Sequence, residues 1–64
     1  MKYIILRRQT PNSEPEYYTG GGSWTRNQAA ALRFRRTVAA ILCENFTVKF
    51  GFLYSEFLFR AAEK

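Results

Sequence analysis

Apolar residues recur along this chain with two different periods, and the changes of period predict its elements. From Lys2 to Arg8, β-branched and aromatic side chains alternate so that Ile4 and Leu6 share one face and Tyr3, Ile5 and Arg7 the other, as in a strand. Gln9 to Pro15 ends it, because Pro11-Asn12-Ser13 and Glu14-Pro15 favour turns and proline lacks a backbone donor. Glu16-Tyr17-Tyr18-Thr19 is a second β-prone run, expected to pair antiparallel with the first. Only one of its two tyrosines can point inward on a strand, so the other is expected to be exposed or to form an edge. Gly20-Gly21-Gly22 stops this run and reads as a flexible strand-to-helix connection.

The period then lengthens. Thr25 is placed to cap a helix by accepting an amide from Asn27 or Gln28, and Gln28 completes a capping box. Through Glu44, the residues Ala31, Phe34, Val38, Ile41 and Leu42 form a helical stripe opposite Arg26, Arg33, Ala40 and Glu44. Leu32 falls on the flank and Arg35 at the edge of that stripe, which predicts a break around Arg33 to Arg36 and two helices, the second capped by Thr37. From Phe46 the period returns to two, with Phe46, Val48, Phe50, Phe52 and Tyr54 on one face of a predicted strand. The alternation slips after Tyr54. Residues 55–63 fit a strand with a bulge, slightly favoured, or a helix capped by Ser55 and carrying a Glu56 to Arg60 pair. The sum is one α+β domain over residues 1–64, an antiparallel sheet of about three strands against one helical layer, in the order β-β-α(-α)-β.

Composition narrows the function. A chain of 64 residues hides only about 60% of its unfolded surface on folding and has no room for a large buried active site. It has no His and no Asp, which removes imidazole bases, Ser-His and Cys-His nucleophiles and the usual zinc sites. The five acids are all Glu, scattered as Glu14, Glu16, Glu44, Glu56 and Glu63, and read as solvated surface groups rather than a carboxylate pair. Cys43 has no cysteine partner and reads as a small packing residue, consistent with a reducing compartment. The glycine run lacks a Gly-Lys-Ser/Thr ending and a G-x-G-x-x-G spacing, so no phosphate loop and no cofactor are expected. The longest apolar run near the amino terminus, Tyr3 to Leu6, predicts neither a membrane segment nor a leader, and hence a cytoplasmic protein. An enzyme is not expected.

Ten basic residues against five acids give a net charge of +5. The excess lies mostly in Arg7-Arg8 and in Arg26, Arg33, Arg35 and Arg36. Such a set serves either as a solvated surface or as a stripe that meets phosphates. Arg35, beside the apolar stripe, is the first candidate contact residue, with Arg36 next. Tyr18 and Trp24 stand beside these cations, as base stacking requires, although Trp24 is large enough to be needed for packing. The candidate binding residues are therefore Arg7, Arg8, Arg26, Arg33, Arg35, Arg36, Tyr18 and Trp24. The surplus of apolar surface at Phe57, Leu58 and Phe59 predicts an interface or a homodimer contact there.

Tyr17-Tyr18, the glycine run, Trp24-Thr25, Ala30 or Ala31, Phe34 and Ala40 together resemble a "YY-x-GG-W-T … A-x-x-F … A" pattern of small phage and prophage accessory proteins. The chain departs from that pattern at Arg36, where Ser or Thr is usual, and at Ala39, where an acid is. The resemblance implies a strand-strand-helix-strand order and a protein that docks on a host protein or ribonucleoprotein complex. Defence nucleases, including CRISPR effectors, are a frequent target of such proteins. The alternative from the residues alone is a nucleic-acid-binding module.

Overall fold

The computed structural model describes residues 2–62 and shows an α+β fold. Its elements are β1 (Tyr3–Arg8), β2 (Glu16–Gly20), β3 (Ser23–Thr25), a short 3-10 turn (Gln28–Ala30), α1 (Arg36–Phe50) and β4 (Glu56–Ala61). The strands form one antiparallel sheet in the order β3-β2-β1-β4, four strands where the sequence pattern predicted about three. The additional strand, β3, comes from the glycine run. Gly20, Gly21 and Gly22 all have positive φ, which is open to glycine at little cost, and they fold the chain back as a hairpin instead of leading into a helix.

β1 is the central strand. It pairs along its whole length with β4, from Tyr3 opposite Ala61 to Arg8 opposite Glu56. Its contact with β2 is much shorter, Leu6 opposite Tyr17 and Arg7 opposite Glu16. Beyond that point the two strands fork, and the chain from Leu32 to Phe34 enters the gap. Leu32 N donates to Tyr18 O at 3.0 Å, and Tyr3 and Phe34 exchange both backbone hydrogen bonds at 2.8 Å. These contacts give partners to backbone groups that β1 and β2 cannot give each other.

That pairing explains why the helix predicted from Thr25 is absent. Thr25 Oγ1 does accept from Asn27 N at 3.1 Å, as expected of a cap, but the turn that follows has its own cap, with Asn27 Oδ1 accepting from Ala29 N at 3.1 Å. The chain then becomes extended at Ala31. Sheet hydrogen bonds and burial of Ala31 outweigh the local helical preference of an alanine-rich segment. The break expected at Arg33 to Arg36 is where the helix begins, and Arg35 rather than Thr37 is its N-cap, without a side-chain cap bond.

The strand predicted from Phe46 to Tyr54 is likewise corrected. Residues 46–50 continue α1, Gly51 N closes the helix on Thr47 O at 2.9 Å, and a turn follows in which Leu53 N donates to Phe50 O. Ser55 N then bonds Arg8 O at 2.8 Å and starts β4, settling the undecided carboxyl-terminal segment as a strand; Glu63 lies outside the described residues.

Both faces of the sheet are covered. On one, Ile4, Leu6 and Tyr17 pack with Ala31 of the crossover segment and with Leu58 and Ala62. On the other, Ile5 is fully buried beneath α1, whose buried residues are Ala39 and Cys43. Tyr17 therefore belongs to one core layer, while Tyr18 on the opposite face is half-buried among other rings; neither tyrosine is fully exposed. Ala39 and Cys43 are small and fully or nearly buried, while Phe46 on the same side of α1 reaches the rings of Tyr18, Trp24 and Phe57. The stripe of Val38 and Ile41, expected inside, points away, with exposures of 42% and 54%.

Candidate functional site

The two basic patches differ in structure. Arg7 and Arg8 are adjacent on β1, so pleating sends them to opposite faces of the sheet, and each meets an acid on the neighbouring strand. Arg7 Nε donates to Glu16 Oε1 at 2.9 Å. Arg8 Nε lies 2.9 Å from Glu56 Oε2, an ion pair whose angle does not make a hydrogen bond, while its Nη1 donates to Ser13 O at 3.4 Å. Both arginines thus help fix strand register.

Arg7 also lies between two rings. Its guanidinium carbon is 4.2 Å from the Trp24 ring centre and 4.3 Å from that of Tyr54, a distance at which the ring quadrupoles attract the cation. Beside it opens a groove of about 240 Å³, completed by Gly22, Phe46, Phe50 and Leu53. Alternation along β1 predicts the face of Arg7, shared with Tyr3 and Ile5, whereas Phe50 and Tyr54 are expected on one face of a strand and Leu53 has no expected role. The signal the sequence lacks is the reversal after Gly51, which brings residues 53–54 back over β1.

The aromatic candidates serve the fold. Tyr18 stands 5.2 Å from Trp24, 5.1 Å from Phe46 and 6.1 Å from Phe34, centre to centre, and Phe57 extends the cluster to within 5.9 Å of Phe46. Phe57, Leu58 and Phe59 are half-buried on β4, Phe57 in this cluster, Leu58 against the other core layer and Phe59 edge-on to Tyr3. Arg60 is held by Tyr17 Oη and Gln28 Oε1 at 3.3 and 3.2 Å.

The second patch has no such partners. Arg26, Arg33 and Arg35 lie between β3 and α1 and Arg36 is the first residue of α1; all four are exposed and form no ion pair among the described residues. Arg35 and Arg36 stand at the start of α1, where no acid occupies the first turn and the helix dipole repels cations. In this position they add to the positive potential of the free helical amides. Cys43 is buried, and burial pushes its thiol above the ordinary value, which disfavours the thiolate. Among the described residues no group of three metal-ligating side chains comes together, and no helix is long and apolar enough to cross a membrane. The arrangement offers charge and shape for binding, and comparison with protein-family models, curated proteins and solved structures finds no match for the chain.

Proposed function

We propose that this is a non-enzymatic binding protein that docks through Arg26, Arg33, Arg35 and Arg36 onto an acidic host protein or ribonucleoprotein in the cytoplasm and inhibits it. A defence nuclease such as a CRISPR effector is the target class that the phage-type sequence pattern suggests. One observation carries the reading: four exposed arginines lie on one segment without acids of their own, two of them at a helix start that disfavours cations. Each such charge at a helix amino terminus costs about 0.3–1 kcal/mol, so folding stability is not what keeps Arg35 and Arg36 there. A protein surface is favoured over bare nucleic acid because Tyr18 and Trp24, the rings needed for base stacking, are engaged in the aromatic cluster.

The test pairs the wild type with the R26Q/R33Q/R35Q/R36Q variant. Immobilised wild type should retain a defined host complex from nuclease-treated lysate, and its expression should raise plaque counts of a phage targeted by host defence. The variant, folded by circular dichroism, should do neither. Equal retention by the two proteins refutes the docking surface. A shift of labelled DNA or RNA at about 50 mM salt that disappears by about 200 mM supports the nucleic-acid alternative instead.

A further inference from the structure

The helix α1 is apolar on two sides. Ala39, Cys43 and Phe46 turn toward the sheet, yet Val38, Ile41 and Val48 are 42%, 54% and 78% exposed, and Phe52 just beyond the helix is 81% exposed. A surface helix normally keeps its outer face polar, whereas here exposed Val38, Ile41 and Val48 stand among exposed Glu44, Asn45 and Lys49.

The spacing of the outer residues says what covers them. Val38, Ile41, Asn45 and Val48 recur at intervals of three, four and three, the seam of a coiled coil, with Val38 and Asn45 at a positions and Ile41 and Val48 at d positions. Glu44 then falls at g and Lys49 at the following e, both exposed and without an ion pair among the described residues. In a parallel two-stranded arrangement the g residue of one helix meets the e residue five positions on in its partner, so Glu44 of each copy faces Lys49 of the other. Antiparallel pairing sets a against d, so that Val38 faces Val48 and Asn45 faces Ile41 of the other copy, and it brings the two Glu44 side chains together, a repulsion. With β-branched Ile41 and Val48 at d, the a and d residues do not by themselves select two strands, and it is the single Asn45 at a that specifies register and a two-stranded pairing.

We infer that α1 is a homodimer interface, in which two copies of this chain pair their helices in parallel through Val38, Ile41, Asn45 and Val48 with reciprocal Glu44–Lys49 ion pairs. The site is distinct from the arginine segment and does not depend on the function proposed above. Each helix is already held by its own sheet, so the usual cost of ordering a short coiled coil does not arise. The seam is short. Two copies bury roughly 1,000 Å² together, at the low end for specific interfaces, which makes a reversible dimer with a dissociation constant on the order of 10–100 μM the expected result.

Sedimentation velocity between about 5 and 500 μM, at about 0.15 M salt so that the +5 charge of each copy is screened, should show a monomer–dimer equilibrium. E44K should weaken it about tenfold by removing two ion pairs and adding repulsion, and the E44K/K49E exchange should restore it. V38C should cross-link to a dimer under mild oxidation, because Val38 meets Val38 only in the parallel arrangement; wild type, with Cys43 buried, should not. A monomer over the whole range overturns the inference. So does a dimer indifferent to E44K, or one that V38C fails to cross-link.

Discussion

Arg7 allows a quantitative check of how this small sheet is held together. Replacing it with Met keeps most of the apolar stem, so no large cavity opens, but removes the guanidinium from between Trp24 and Tyr54 and from Glu16. Two partly buried cation–π contacts contribute about 0.5–1 kcal/mol each. The Arg7–Glu16 pair adds only about 0.5 kcal/mol, because its side chains are 18% and 36% exposed and water screens the attraction. Glu16 remains hydrated in the variant and incurs no burial penalty. The expected loss is therefore about 2 kcal/mol, or a midpoint lower by roughly 10 °C in a domain of this size. Trp24 is the only tryptophan and sits at the perturbed site, so its fluorescence during urea unfolding reports directly. E16Q should cost about a quarter as much, and R7K, which keeps the charge but not the planar stack, should fall between R7M and wild type. An R7M protein within about 0.5 kcal/mol of wild type, or an E16Q variant as damaging as R7M, refutes the claim that stacking outweighs the ion pair.

Two further outcomes follow from the same geometry. Gly20 has φ of +94°, and a Cβ there would stand 2.6 Å from Leu32 Cδ1, so G20A should lower stability by about 1–2 kcal/mol in chemical denaturation, and adding L32A should relieve the clash but not the backbone strain. For Cys43, burial raises the thiol pKa in the folded protein above its ordinary value of 9.0, so its contribution is intact at neutral pH. Stability should fall as pH rises above about 9, because only the unfolded chain ionises freely there; C43A should remove that pH dependence, and alkylation of the wild type should follow the unfolded fraction.

Much of the fold was legible in the residues. Alternation identified β1, turn formers ended it, and β2 paired with it antiparallel as expected. Two errors have one cause, that local periodicity does not say what lies opposite. Phe46, Val48 and Phe50 alternate as a strand does, but Ala39, Cys43 and Phe46 also recur at helical intervals, and these are the residues turned to the sheet, while Val48 is exposed. Val38 and Ile41 match the inner face in hydrophobicity, so hydropathy alone could not distinguish the two sides of α1. Of the site residues, Arg26, Arg33, Arg35 and Arg36 were identified by charge and are exposed, whereas Tyr18 and Trp24 are part of the packing.

By itself the sequence determined the α+β class, the first two strands and the excess of positive charge, because these depend on residues close together in the chain. Only the tertiary structure decided which arginines have partners and which face of α1 is inward. Both depend on contacts made across the sheet: Glu16 and Glu56 reach Arg7 and Arg8 from neighbouring strands, and the face of α1 that is inward is the one carrying buried Ala39 and Cys43, with Phe46 packed on the rings of Tyr18, Trp24 and Phe57. The chain from Ala31 to Phe34 is extended rather than helical for the same reason, since the fork between β1 and β2 supplies hydrogen bonds that exist only once the sheet has formed.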